Sequence, residues 1–212
     1  MVWPPIRLGG AHRFGAMGQN TLRDVSGGGL FVTGEMDWYD RLSAYFPDQE
    51  LKARGQIRDL LKNHTGYRKE ENDDYLLLYA NFPDFIFIDY LLVSPRTRGR
   101  GIGSQVMGTL KAHQKRLVAE IEPIHEDEPD TAKRVQFYKK HGFREAEHIA
   151  YTRYDERGNP NPMDIFYWSP TPVAERVVLK DMFLVCEELH NFRALKYYGR
   201  EVANPDEVLE WH

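Results

Sequence analysis

The sequence predicts a mixed α/β sheet flanked by helices, and three observations carry that prediction. Phe85 to Gly103 reads as a buried strand running into a glycine- and arginine-rich turn that opens a helix. Around it the pattern runs helices, two strands, helix, strand, helix, two strands, which is the order of a mixed sheet. A run from Ala174 to about Tyr198 adds one more apolar helical stripe after the last strand.

The central strand is Phe85 to Val93, an apolar run broken only by Asp89 and long enough for a strand buried on both faces. Pro95 ends it, because proline has no N–H to give to the ladder. Glycines stand at 99, 101 and 103, and arginines at 96, 98 and 100. Ile102, Val106 and Leu110 then repeat every four residues with Met107 beside them, so a helix begins at once. Glycine lets a backbone approach a ligand and aim N–H groups at it, and a helix N-terminus adds about half a positive charge. The unit is therefore a candidate pyrophosphate cradle.

The other elements follow by pattern. Asp37 caps a short helix carrying Trp38, Leu42, Tyr45 and Phe46. Pro47-Asp48 starts a second, with Leu51, Ile57, Leu60 and Leu61 on its apolar face and Thr65-Gly66 at its end. Tyr75 to Ala80 is a strand joined to the central one through the turn at Asn81 to Asp84. Leu117 to Pro123 alternates, placing Glu120 and Glu122 on one strand face. An acidic loop, His125 to Asp130, leads to a helix that closes at His141-Gly142, with Gly142 suited to a left-handed end. Ile149 to Tyr154 and Met163 to Trp168 are the last strand pair. Short strands at Val2 to Leu8 and Leu30 to Val32 complete the reading of a glycine-rich N-terminal segment.

Composition narrows the function classes. The chain has 212 residues and a net charge of −4, with a pI of about 6.1, so no basic field favours nucleic acid. No apolar run is long enough to span a membrane, and the N-terminus lacks signal-peptide features. The single cysteine, Cys186, precludes an internal disulfide and fits a reducing cytoplasm. No Cys/His cluster has zinc spacing, so no metal is expected. His125 and His141 read as surface residues.

Three phosphate-binding patterns compete for the turn. A Walker A loop needs Gly-Lys-Ser/Thr where Gly101-Ile102-Gly103-Ser104 stands. A dinucleotide fingerprint needs a third glycine where Ser104 or Val106 falls, although Glu120 lies about twenty residues on. The third pattern, Arg/Gln-x-x-Gly-x-Gly/Ala, is matched throughout by Arg98-Gly99-Arg100-Gly101-Ile102-Gly103. On these residues the chain resembles the GNAT superfamily of acetyl-CoA-dependent N-acetyltransferases. Tyr138-Lys139-Lys140-His141-Gly142-Phe143 is similar to that family's Tyr-x-x-x-Gly-Phe helix end, and the resemblance spans about residues 35 to 169. Many members carry Asn-x-x-Ala where Thr131 and Arg134 stand here. Glu120-Ile121-Glu122-Pro123 and Arg134 look like a branch with Glu-x-Glu-Pro in that strand.

The resemblance implies a mostly antiparallel sheet flanked by helices, a domain over residues 1–170, and a C-terminal helical extension over 171–212. It implies acetyl-CoA as co-substrate and a primary amine, on a small molecule or a protein, as acceptor. Backbone N–H groups of Arg98, Gly99, Arg100, Gly101, Ile102, Gly103 and Ser104 would hold the pyrophosphate. Leu92 and Val93 would contact the pantetheine arm and offer the oxyanion N–H, where two strands splay apart. Tyr138 occupies the position of the general acid, and packing with Phe137 is its other use. For the base the order is Glu120, then Asp89, whose apolar strand would raise its pKa, then Glu122, read as solvated. A CoA-binding regulator without turnover and a dinucleotide-binding protein remain the competing readings. The Val178, Met182, Val185, Leu189, Phe192 stripe packs on its own domain, contacts a second copy in a homodimer, or lids the cleft. Cys186 lies off that stripe as a structural thiol.

Overall fold

The computed structural model describes residues 37–46, 50–155 and 158–212. The strands expected at Val2 to Leu8 and Leu30 to Val32 lie outside the described residues. Eight strands form a sheet in the order β1-β2-β3-β4-β7-β6-β8, with β5 also on β7. They are β1 (Tyr67–Glu71), β2 (Tyr75–Asn81), β3 (Phe85–Val93), β4 (Arg116–Ile121), β5 (Arg144–Glu145), β6 (Ile149–Tyr154), β7 (Pro160–Trp168) and β8 (Leu209–Trp211). Among these pairs β3 with β4 is parallel and the rest are antiparallel. This is the mostly antiparallel architecture expected, and it is not the doubly wound parallel sheet of a dinucleotide fold.

Two helical layers cover the sheet. On one face α3 (Ile102–Ala112) and α4 (Pro129–Lys140) set Val106, Met107, Leu110, Val135 and Tyr138 against Ile86, Ile88, Leu117, Ala119 and Phe166. On the other, α1 (Trp38–Ser43), α2 (Arg54–Asn63) and α5 (Glu175–Val185) set Leu42, Ile57, Leu60, Val178, Met182 and Val185 against Phe85, Phe87, Leu92 and Val118. Each such fully buried side chain contributes about 1.5–3 kcal/mol of transfer free energy.

Three elements depart from the sequence pattern. The second helix begins at Arg54 with Ala53 as its cap, not at Pro47-Asp48. Glu50 to Ala53 is therefore a non-helical turn and bend, and the Lys52 side chain turns into the interior. The C-terminal run is not one helix. It breaks at a π turn, Cys186–His190, closed by the Asn191 N–H on the Cys186 carbonyl at 2.9 Å. A short α6 (Ala194–Tyr198) and α7 (Pro205–Val208) then lead into β8, which pairs with β6. Cys186 continues α5 four residues after Met182 and joins Val185 and Leu189 in the core instead of lying off the stripe. Burial pushes its thiol up to about 12, which leaves it protonated and unreactive. The stripe faces the chain's own core, so it offers neither a dimer face nor a lid.

The third departure is a bulge. Leu78 faces Tyr90 across the ladder while Tyr79 faces Ile88, so Asp89 is the unpaired extra residue in β3. A bulge reverses the in/out phase of the residues after it. Before it, Ile86 and Ile88 face α3 and α4; after it, Tyr90 and Leu92 face the α2 and α5 side.

Candidate active site

The turn after β3 is built as a donor cradle. Gly99 and Gly101 have φ of +81° and +84°, which side chains with a Cβ rarely adopt, and a Cβ at either would meet nothing within 4 Å. Gly101 caps α3 without any side-chain hydrogen bond. Among the described residues the N–H groups of Gly99, Gly101, Ile102, Gly103 and Ser104 find no backbone acceptor. Five donors at a helix N-terminus beside open space suit a diphosphate. Gly103 has a different role: a Cβ there would lie 2.9 Å from the Phe137 ring, so this glycine lets α3 approach α4.

The arginines do less than their density suggests. Arg98 spends its Nε–H on the Val93 carbonyl at 3.2 Å and stacks on Tyr45. Arg96 and Arg100 are exposed, and the Arg100 N–H is taken by the Thr97 carbonyl at 3.2 Å. His141, expected at the surface, is half-buried against the cradle. One ring nitrogen lies 2.7 Å from the Phe137 carbonyl and the other 2.9 Å from Ser104 Oγ.

From the cradle a cleft of about 580 Å³ passes through the sheet. It opens because the parallel pairing of β3 and β4 stops at Ile88 and Ala119, while both strands continue. Leu91, Val93 and Ile121 wall it on the α3/α4 side, and Tyr90, Glu120, Arg153, Asn161 and Met163 on the other. Leu92 is corrected here: the Asp89 bulge turns its side chain into the opposite core, and Leu91 takes its place beside Val93.

Tyr138 lines the waist of this cleft, packed edge-on against Phe137 and Phe143. Burial raises its hydroxyl well above the usual tyrosine range, so it stays protonated at any working pH.

The carboxylates sort themselves by partner. Asp89 is held by the Lys52 ammonium at 2.5 Å and by the Tyr67 hydroxyl. Both of its oxygens are engaged, so it is a paired carboxylate and not the isolated one that an apolar strand suggested. Glu120 accepts from His190 Nε2 at 2.6 Å and lies 3.7 Å from Arg153. Burial alone would raise its carboxyl, but His190, Arg153 and Lys52 outweigh it and hold it down to about 2. Burial also holds the His190 imidazole below its ordinary value, so near neutral pH the dyad is an N–H donating to a carboxylate. Such a low-lying carboxylate is a weak base, which removes Glu120 from the head of the order of candidate bases.

Glu122 is not solvated. It pairs with Arg134 at 3.3 Å, and Arg134 also lies 3.9 Å from Glu50. Burial and the neighbouring Glu122 charge raise Glu50 to about 7. Two carboxyls in contact cannot both ionise cheaply, so Glu50 keeps its proton up to near neutral pH. The departures from the family pattern have structural duties here. Arg134 bridges these two acids, and Thr131 ties the acidic loop to α4 through the His125 N–H and the Glu128 carbonyl.

Glu50, Lys52, Arg153, Asn161 and His190 were not singled out from the sequence. For Arg153 a signal existed, since a cation shares a strand face with Ile149 and Tyr151 in Ile149 to Tyr154. Glu50 and Lys52 gave none, because the residues before Arg54 look helical. Among the described residues no cluster of three or more His, Cys, Asp or Glu could hold a metal ion, and no helix is long and apolar enough to cross a membrane.

A sheet split beside a cradle of free N–H groups, with a protonated tyrosine hydroxyl and a carboxyl that titrates near neutral pH lining the split, is the framework of an acyltransferase. Residues 64–145 match the model of the acetyltransferase (GNAT) domain. The Bacillus subtilis (strain 168) protein named "Putative acetyltransferase YjbC" is 40% identical over 177 residues, covering 82% of this chain and 92% of that protein. The chain belongs to the GNAT acetyltransferase family. A GNAT-family structure from Bacteroides thetaiotaomicron shares the fold, with a TM-score of 0.56 at 18% identity over 69% of this chain and 87% of that one.

Proposed function

We propose that this chain transfers an acetyl group from acetyl-CoA to a primary amine, by direct attack while both are bound. The observation that carries the reading is the cleft through the sheet, which joins the N–H cradle on one face to a polar pocket on the other. The cradle fits the donor: positive-φ glycines, open space and unpaired N–H groups coincide. When bound, acetyl-CoA supplies the thioester carbonyl.

The residues divide the work. The N–H groups from Gly99 to Ser104 hold the diphosphate, and Leu91 and Val93 wall the arm. Ser94 turns its N–H toward the β2 side, 2.7 Å from the carbonyl of Asp74, the residue before that strand. By alternation the Val93 N–H turns to the edge left open by the splay, where a developing oxyanion needs a donor. Glu50, near pH 7, takes the proton that frees the amine lone pair. Tyr138 gives its proton to the leaving thiolate.

The test is thiol release from acetyl-CoA against a panel of amines, read beside acetyl-CoA binding. Amine-dependent release by the wild type, lost in Glu50→Gln and Tyr138→Phe, is the expected result. Binding of acetyl-CoA with no amine-dependent release would overturn transfer in favour of a regulatory CoA-binding role, as a protein of the cytoplasm or elsewhere.

A further inference from the structure

We infer that the acceptor is an amine bearing a carboxylate close to its nitrogen, an amino-acid-like molecule or the equivalent chain end, and that Arg153 and Asn161 hold that carboxylate. This rests on the acetyl-transfer reading above and names its substrate class.

Arg153 lies on β6 and Asn161 on β7, directly opposite each other in the ladder, so their side chains leave the same face. Both line the cleft on the side away from the cradle. The Arg153 side chain is 18% exposed, and its nearest acidic oxygen is Glu120 Oε2 at 3.7 Å, beyond hydrogen-bond range. A guanidinium carries five N–H donors and accepts none. Among the described residues none of these donors, nor the Asn161 amide, makes a hydrogen bond.

Among the described residues, the other charges on the side of the cleft away from the cradle are matched. Lys52 is bound to Asp89 at 2.5 Å, Glu120 to His190 at 2.6 Å, and Glu122 to Arg134 at 3.3 Å. Among the described residues on that side, Arg153 is the cation left with unused hydrogen-bonding capacity. A half-buried guanidinium with a free planar fork is matched by a carboxylate, which accepts two parallel N–H bonds. The Asn161 NH₂ can give a third. A dianionic phosphate fits worse, because Glu120 lies 3.7 Å from the guanidinium and repels the second charge. A neutral amide oxygen would leave half of the fork unused. The amine of the same molecule is then left for the Glu50 side of the cleft.

Arg153 is a specificity residue in this account, and the test compares matched acceptors. The proteinogenic amino acids are assayed as acetyl acceptors beside the amines that result from removing their carboxylates, such as leucine with isopentylamine and lysine with cadaverine. For the best pair the carboxylate member should have kcat/KM about 10²-fold or more above its partner, since a site built to bind a polar group discriminates strongly against its absence. Arg153→Gln should collapse that ratio toward one by raising KM for the carboxylate member, with little effect on the amine. Arg153→Lys should restore part of it, and Asn161→Ala should lower it by a smaller factor. A turnover-independent arm uses N-acetylglycine and N-methylacetamide with CoA present, with binding read by ligand-observed NMR. N-acetylglycine should bind the wild type and not Arg153→Gln. Equal or better turnover of the decarboxylated amines, unchanged by Arg153→Gln, overturns the carboxylate assignment and leaves acetyl transfer standing. No turnover in either series, with N-acetylglycine still dependent on Arg153, overturns acetyl transfer and leaves the carboxylate site.

Discussion

His190 Nε2 lies 2.6 Å from Glu120 Oε1 and ties the π turn after α5 to the strand that forms one wall of the cleft. The imidazole is 1% exposed and its Nδ1 has no hydrogen-bond partner. A bare Nδ1 is tolerable as an unpaired acceptor, whereas a second buried N–H would cost more, so the ring is the neutral tautomer with its proton on Nε2. The helix register that the π turn shifts is what brings this ring to the strand. The C-terminal segment thus positions a carboxylate that lines the cleft.

That dyad makes a stability prediction. His190→Phe strips a buried carboxylate of its closest donor and should cost about 3–5 kcal/mol, seen as a Tm fall of roughly 10 °C. His190→Gln keeps an N–H donor and should recover much of the loss. The folded imidazole resists protonation, while the unfolded one takes a proton near its ordinary 6.5. Wild-type stability from this group is therefore complete above 6.5 and declines as the pH falls below it. His190→Gln should gain on the wild type by up to about 1.4 kcal/mol per pH unit between pH 6.5 and 5. A constant Tm difference across that window would mean that the buried ring is already charged.

The two kinds of glycine in the cradle should separate cleanly. Gly101→Val puts a branched side chain at φ +84° into space that no protein atom occupies. CoA affinity by calorimetry should fall at least about tenfold, since that volume and N–H geometry belong to the phosphate. Gly103→Ala meets the Phe137 ring at 2.9 Å instead, so it should lower Tm by forcing α3 and α4 apart. Unchanged CoA affinity in folded Gly101→Val would remove the cradle assignment.

The features legible in the sequence were local ones. The strand, turn and helix from Phe85 to Leu110 declare themselves through apolar run, proline, glycines and period. Gly142 at the end of α4 does adopt φ +72°. The features that escaped were set at a distance. The resemblance put Leu92 beside Val93 at the cleft, but the one-residue bulge at Asp89 turns the Leu92 side chain to the other face, and a single aspartate in an apolar run does not announce a bulge. β1 is Tyr-Arg-Lys-Glu-Glu and has no strand composition; it forms because β2 offers an edge. Glu50 meets Glu122 and Arg134 only through the tertiary fold, so no spacing could reveal that its carboxyl titrates near neutral pH. The π turn likewise follows from packing, not from Cys-Glu-Glu-Leu-His as a pattern.

Tyr138→Phe removes a hydroxyl from a ring held by Phe137 and Phe143, so packing and CoA affinity should persist. Loss of the acid should lower the single-turnover rate about 10²-fold or more. Because burial raises this hydroxyl above its ordinary 10, the wild-type rate should show no alkaline decline from Tyr138 up to pH 10. A single-turnover rate within about threefold of wild type would send the proton to water or another group.

The last prediction concerns Glu50, whose carboxyl is raised from 4.5 to about 7 by burial and by Glu122. A base must be ionised to act, so kcat/KM should climb with pH through about 7 and level off above it as Glu50 ionises. Glu50→Gln should lower kcat about 10²-fold or more and abolish that limb. Stability should move the other way. Between pH 4.5 and 7 the unfolded chain releases this proton and the folded chain keeps it. The folded state therefore loses stability as the pH rises through that window. A glutamine carries no such penalty, so the Tm of Glu50→Gln relative to wild type should be more favourable at pH 8 than at pH 4.5. The two readouts separate the roles. A merely structural Glu50 would give the Tm crossover and leave the pH–rate limb in place, and that result would pass the role of base to Glu122.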